Sequence, residues 1–346
     1  MKVFFLFISC FYFLYVLIDY SVHAKDFQNG AISFFHIVAY YCCQFTKRAD
    51  ILIPIAILIA TIKVLTTSNL RNEIVALATG GIPLKKIMRP FLWGALGCSA
   101  VLYLNFQCLQ PCCLNQISAF EEHFFKAQTK GKEGKSVNAL VLEDSTLLIY
   151  QNYDSNKKAF VDAYWLKSSD ELFRIQSLFP YEKTPYGIFV DYLKRSAEGE
   201  LVKTASYGTL PFPQMRFDPK TLFSAAHPPR MQSISQLAHT MGWKQIGLGK
   251  MNDREAEAAT FFYFKLITPL VCLLAVIGPA PFCLRFTRTL SVYLIYALSL
   301  FGMIAFYTLA NSSVVLGESQ VLPPIVAILL PQTVFFLLLG LRYAKL

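Results

Sequence analysis

RNEIVALATGGIPLKKIMRP, residues 71–90, is a charged, glycine-broken stretch held between two strongly apolar runs, 51–67 and 90–108. A helix needs roughly 20 apolar residues to cross about 30 Å of hydrocarbon. Two runs approaching that length, with a short polar segment between them, read as two membrane spans joined by a loop at one face. Four further runs, 3–18, 261–284, 290–310 and 322–341, extend the pattern. Runs 3–18 and 51–67 are short and need flanking residues to complete the crossing. Between the third and fourth runs lies a polar stretch long enough for a folded domain with its own core. The expected fold is an α-helical polytopic membrane protein of six transmembrane helices, three plus three, around an inserted extramembrane domain.

Composition agrees: 55% of the 346 residues are hydrophobic, 16% are charged, and 30 are Phe. The formal net charge of +10 raises the question of nucleic acid. Residues 111–260 are close to neutral, so the surplus belongs to the membrane part. If the loops alternate in side, one face receives Lys2, Arg71, Lys85, Lys86, Arg89, Arg285, Arg288, Arg342 and Lys345, with Glu73 as its one acid. The opposite short loops carry Lys25, Lys47 and Arg48 against Asp19, Asp26, Asp50 and Glu318. The positive-inside rule then puts both termini and residues 71–90 in the cytoplasm and the large domain outside. Basic residues split among short loops make no stripe for nucleic acid.

The nine cysteines all lie outside 114–271, so the exported domain can form no internal disulfide. Cys108, Cys112 and Cys113 lack any neighbouring His or second Cys pair at zinc spacing and read as packing at the membrane end. Lys2, the run 3–18 and Val22-His23-Ala24 imitate a signal peptide. We read an uncleaved first helix, because the pattern then closes with an even number of spans.

AISFFHIVAYYCCQF, residues 31–45, is aromatic but too short and irregular to span, and predicts an interfacial helix leading into the second span. Residues 115–137 predict a helical extension and then a flexible stretch. ALVLED, TLLIYQ, AFVDAYWLK, ELFRIQSL, GIFVDYL and ELVKTA are short, partly alternating runs separated by polar breaks. They predict an antiparallel sheet folded as a sandwich, jelly roll or barrel. Five prolines in 209–230 mark an irregular return, and SISQLAHTMGWKQIG predicts a short helix with Ser233 or Ser235 as N-cap.

Catalytic motifs are missing from the sequence. GKEGKS at 131–136 imitates the end of a P-loop, but Thr129 stands where its first glycine belongs. No H-E-x-x-H or G-x-S-x-G occurs. Lys265, near the outer end of the fourth span, either snorkels or meets an acidic substrate group. Pro269, Gly278, Pro279 and Pro281 predict kinks in the same helix. Residues 71–79 predict a short helix ended by Gly80 and Gly81, with Pro83 in the first turn of the next. Nine or ten helical residues are marginal alone in water. With Ile74 and Leu77 on one face at i, i+3, and Glu73 and Arg71 beside them, the helix needs support, from its own bundle or from a partner.

RNEIVALATGGIPLKKIMRP resembles the segment after the second span in the LptF/LptG family of lipopolysaccharide-export permeases, through Arg71, Glu73, Ile74, Ala76, Ala78, Gly80 or Gly81, and Pro90. LQP at 109–111, SISQL at 233–237, KLITPL with PF and Arg288 around span four, and LPPIVAILLP in span six are similar to the family as well. The resemblance implies an ABC transporter permease in the bacterial inner membrane, with an inserted all-β jelly-roll-like periplasmic domain. Its expected divisions are 1–114 for spans 1–3, with a cytoplasmic coupling helix at about 70–80, 115–232 for the β-domain with linkers, and 233–346 for spans 4–6.

The resemblance also implies partners: a cytoplasmic P-loop ATPase dimer of the LptB type, a second six-span permease of the family, and a periplasmic jelly-roll bridge of the LptC/LptA type. Lipopolysaccharide is the implied cargo. The chain would be no enzyme and hold no cofactor, ATP being bound by the partner ATPase. Arg71, Glu73, Ile74, Leu77, Gly80 and Gly81 would make the ATPase coupling, and Asp19, His23, Lys25 and Lys265 would line the substrate path. Two departures stand out. Gln107 replaces a Glu common before the proline that ends span three, and Val22 and His23 stand where one branch carries lysines. The competing expectation is a non-transporting inner-membrane scaffold whose β-domain docks envelope proteins.

Overall fold

The computed structural model describes residues 2–29, 32–121, 138–142, 144, 146–154, 158–181, 184–196, 200–217, 228–241, 253–284 and 291–345. The chain divides into two compact units, Met1–Gln128 with Pro229–Leu346, and Thr129–Pro228. Among the described residues six helices are long and apolar enough to cross a membrane: Lys2–Ala24, Phe34–Leu70, Leu84–Phe120, Glu255–Cys283, Val292–Glu318 and Pro324–Ala344.

The first unit opens with α1 (Lys2–Asn29) and α2 (Phe34–Leu70). The interfacial helix expected at 31–45 is no separate element, because α2 runs unbroken from Phe34 for 37 residues. That is about 55 Å at 1.5 Å per residue, well beyond the hydrocarbon thickness. Aromatic packing explains the continuity: Phe27, Tyr40, Tyr41, Cys43 and Ile117 form one buried cluster, with Tyr40 stacked on Phe120 at 4.7 Å. Pro54 lies inside α2 and cannot donate to the carbonyl four residues back. That carbonyl, of Asp50, instead accepts from Tyr307 Oη at 2.8 Å.

A short helix, α3 (Glu73–Thr79), precedes the third span, which comprises α4 (Leu84–Leu104), a π-helical turn (Asn105–Leu109) and α5 (Gln110–Phe120). Beyond the second unit come a 3₁₀ turn (Pro229–Met231) and α6 (Ile234–Met241). Ser233 caps α6: its Oγ accepts from the Gln236 N–H at 3.3 Å, and its own N–H donates to Gln236 Oε1 at 2.8 Å, a capping box.

The fourth span is broken, as its prolines predict, into α7 (Asp253–Ile267), a 3₁₀ turn (Thr268–Leu270), α8 (Val271–Ile277) and α9 (Ala280–Cys283). In hydrocarbon the freed carbonyls need donors. Span three supplies them, Tyr103 Oη to Leu266 O at 2.6 Å and Ser99 Oγ to Pro269 O at 2.8 Å. The spans close with α10 (Val292–Glu318) and α11 (Pro324–Ala344). The Thr260 side chain of α7 packs closely on α10 at Gly317, where a Cβ would stand 2.8 Å from Thr260 Oγ1.

The second unit holds one antiparallel sheet in consecutive order: β1 (Asn138–Val141), β2 (Leu147–Asp154), β3 (Ala159–Leu166), β4 (Glu171–Phe179), β5 (Tyr186–Arg195) and β6 (Leu201–Pro211). Alternating residues bury one face, with Leu148, Tyr150, Phe160, Ala163, Ile175, Leu178 and Val190 at its centre. Phe212 stands edge-on to Trp165 and Phe173 over that face. Asp162 and Phe189, inside β3 and β5, have φ of 51° and 52°, a region that bulky residues rarely enter. The pairing skips at both, passing from Val161↔Ser177 to Ala163↔Ile175 and from Ser177↔Ile188 to Ile175↔Val190. A transverse crease thus crosses the sheet. The expected helical extension ends, among described residues, at α5, and the GKEGKS stretch lies outside them.

Candidate functional site

Chain direction changes sharply on both sides of α3. Asn72, before it, has φ 57°, and Gly81, after it, has φ 82°. The C-terminal end closes as a Schellman motif, with Gly81 N–H donating to Ala78 O at 3.0 Å and Ile82 N–H to Leu77 O at 3.1 Å. Between these joints the fully buried side chain of the helix is Ile74, which is 1% exposed. Burying an Ile contributes about 2 kcal/mol, enough to seat a helix that could not persist alone.

The pairing of Ile74 with Leu77 on one docking face is therefore corrected: Ile74 turns into its own bundle, and Leu77 is 42% exposed. Seven residues make barely two turns, so a single position can sit at the deepest point of contact. Glu73 is exposed and lies 3.9 Å from Arg71 Nη1, an ion pair too long and too wet to hold either group firmly. Gly80 is exposed beside Gly81. Of the six residues expected to couple, five thus border an open surface and one anchors it.

The same end of the bundle gathers other basic residues. Lys85 Nζ, at the start of α4, donates to Ala344 O at 2.9 Å, and the Arg342 guanidinium lies 5.7 Å from the Phe282 ring centre. Asn69 Nδ2 donates to Cys283 O at 3.1 Å, joining the end of α2 to the end of α9. The alternating loop assignment placed these segments on one face, and they meet there.

At the other end, two bonds tie α6 to the third span. Gln107 Nε2 donates to Ser235 Oγ at 2.7 Å and Gln107 Oε1 accepts from the Ser235 N–H at 3.2 Å. Lys265 does not snorkel. It is 3% exposed, its Nζ donating to Arg230 O at 2.9 Å and Gln232 O at 2.7 Å beside the Phe106 ring. Its ammonium is engaged by backbone that re-enters the bundle just after Pro228. Sequence reasoning missed Ser99, Tyr103 and Tyr307. A proline inside an apolar run, with a hydroxyl residue in another span, was the available signal.

Asp19 and His23 lie on α1, facing α2. Asp19 Oδ1 accepts from Tyr15 Oη at 3.2 Å, and His23 Nδ1 lies 3.1 Å from Asp19 O. Arg48 stacks over the Tyr15 ring at 4.2 Å, and Tyr12 Oη donates to Tyr41 O. The last two contacts join α1 to α2. The Lys25 side chain lies outside the described residues. No group of three metal-binding side chains occurs among the described residues.

A bundle of six candidate spans, broken after the third by a β-sheet unit and carrying an exposed acidic helix after the second, has a counterpart among known families. The sequence pattern described as Lipopolysaccharide export system permease LptF/LptG matches residues 1–345. The chain belongs to the LptF/LptG family. It is a multi-pass permease of the lipopolysaccharide export system, and in this family the ATPase is a separate subunit. No curated protein matches the chain. For an LptF/LptG permease, the lack of a P-loop in the sequence fits this division of labour. Gln107 forms both bonds to Ser235 with one amide.

Proposed function

We propose that α3 is the surface on which a cytoplasmic P-loop ATPase of the LptB type docks, with Glu73 entering a groove on that subunit. The observation that carries this reading is the split character of α3, which anchors through Ile74 and presents Glu73 and Leu77 outward. A short helix between two left-handed joints moves as a unit when pushed. Closure of the ATPase dimer would thereby bias two arrangements of the spans, as work on a cargo requires.

In the same proposal the basic end of the bundle is cytoplasmic, both termini included, in a bacterial inner membrane, and the β-unit is periplasmic. A second six-span permease completes the membrane part. The β-unit passes lipopolysaccharide to a periplasmic jelly-roll bridge of the LptC/LptA type. ATP is bound by the ATPase, and this chain holds no cofactor. Asp19, His23, Lys25 and Lys265 are assigned to the substrate path, although Lys265 is engaged by Arg230 and Gln232.

The test is Glu73→Ala in the complete transporter. Co-purification of the ATPase, or lipopolysaccharide export, is expected to fall. If both persist at the level of the unaltered chain, the docking assignment is wrong.

A further inference from the structure

Four cysteines stand as two adjacent pairs, Cys42-Cys43 on α2 and Cys112-Cys113 on α5. In each pair one thiol faces the helix contact. Cys43 is buried in the cluster with Phe27, Tyr40, Tyr41 and Ile117, and Cys113 packs against that cluster. Cys43 Sγ donates to Gln116 Oε1 at 3.1 Å, and Gln116 is three residues from Cys113 on the same helix face. The Cys43 and Cys113 side chains thus meet at one α2–α5 contact. Cys42 and Cys112 are exposed.

The two facing thiols also share one height. Cys43 is 27 residues from Leu70 at the end of α2, and Cys113 is 29 residues from Leu84 at the start of α4. At 1.5 Å per residue both stand about 40 Å from the basic end of the bundle, past a hydrocarbon layer of about 30 Å. They therefore reach the compartment on the far side, which under the orientation proposed above is the oxidising periplasm. Metal binding is a poor alternative, since the described residues offer no third ligand.

We propose that Cys43 and Cys113 form an exchangeable disulfide that staples α2 to α5 outside the hydrocarbon layer. The oxidant is a disulfide-bearing thiol reagent or oxidoreductase. The half-buried Cys113, as thiolate, attacks the oxidant's disulfide, giving a mixed disulfide and one released thiol. Cys43 then attacks the Cys113 sulfur, forming the Cys43–Cys113 bond and releasing the second thiol. Two electrons and two protons pass to the oxidant. The staple fixes the extended halves of α2 and α5 against each other while the broken fourth span remains able to flex.

The test treats the full chain in membrane vesicles with oxidised glutathione or with dithiothreitol, then alkylates and identifies peptides by mass spectrometry. Oxidation is expected to remove the label from Cys43 and Cys113 together and to yield one peptide linking them, reversed by dithiothreitol. The Cys42→Ser/Cys112→Ser double variant should keep this link, and Cys43→Ser should give no linked peptide and trap Cys113 as its mixed disulfide with glutathione. Full labelling of both after oxidation, or a link through Cys42 or Cys112 in place of this pair, overturns the proposal. In reduced vesicles a membrane-impermeant maleimide on the periplasmic side should label Cys112. Absence of that label, with the Cys43–Cys113 link still forming in detergent, upholds the pair and overturns the orientation.

Discussion

Gln107 and Ser235 are joined twice, the amide nitrogen donating to the hydroxyl and the amide oxygen accepting from the backbone N–H. A carboxylate at position 107 could accept from both the hydroxyl and the N–H, so Gln107→Glu is expected to keep the latch. Gln107→Leu loses both bonds and should cost about 1 kcal/mol, the net worth of a partly exposed pair. Thermal unfolding in detergent compares the two, and equal loss in both would refute the latch.

Ile74 and Glu73 should separate stability from docking. Ile74→Ala empties a buried site and is expected to cost about 2–4 kcal/mol locally, read as faster hydrogen exchange in α3. Glu73→Ala should leave that exchange unchanged, because its ion pair with Arg71 is long and exposed. Faster exchange in Glu73→Ala would show that the acid is holding the helix itself.

Gly80 and Gly81 are adjacent but unequal. Gly81→Ala places a side chain at φ 82° and should cost about 1–2 kcal/mol. At Gly80 a Cβ would meet Ala76 O and Leu77 O at an ordinary 3.4 Å, so Gly80→Ala should be nearly neutral. Circular dichroism melts of the two variants distinguish these outcomes.

Tyr307→Phe removes the donor to the Asp50 carbonyl that Pro54 leaves without a helical partner. The expected cost is about 1–3 kcal/mol, that of a buried acceptor left unsatisfied. Replacing Pro54 with Ala in the same chain restores an N–H at that turn and should recover most of the loss. Failure of this rescue would mean that Tyr307 acts through some other contact.

Asp191 accepts from Lys203 and from Ser206, and these bonds hold its carboxyl below the usual carboxylate range. A folded-state value below the unfolded one adds stability above the unfolded value, and that stability is lost as pH falls through the folded value. Protection against hydrogen exchange in β5 and β6, taken relative to the intrinsic amide rate at each pH, should therefore fall on acidification of the full chain, and Asp191→Asn should flatten the dependence. The group lies at the surface, so the effect should shrink in high salt.

The spans were legible because a bilayer demands long apolar runs, and the Pro269 break because proline cannot donate. The cap of α6 was legible as Ser233 or Ser235, and the bonds of Ser233 with Gln236 decide between them. What escaped depends on distant partners. Residues 31–45 read as interfacial until Tyr40 and Tyr41 met Phe27 and Ile117. Lys265 read as snorkelling or as meeting an acidic substrate group because nothing local announces the Arg230 and Gln232 carbonyls. The crease in the sheet was hidden because Asp162 and Phe189, and not glycines, adopt the left-handed conformation there. At α3, spacing showed a shared face for Ile74 and Leu77, but burial depends on where the bundle surface passes.

The π-helical turn at Asn105–Leu109 has a consequence for angular phase. Asn105 Nδ2 donates to Thr46 O on α2, and Ile117 reaches the cluster on the same helix. Twelve residues of regular α-helix, at about 100° each, would leave these two side chains about 120° apart around the axis. One residue absorbed in the wider turn cuts the offset to about 20°. The turn thus acts as a stored single-residue insertion that keeps the far half of the helix in phase with α2. Deleting one residue elsewhere in α4 would rotate that half by about 100° and swing Cys113 and Ile117 away from α2.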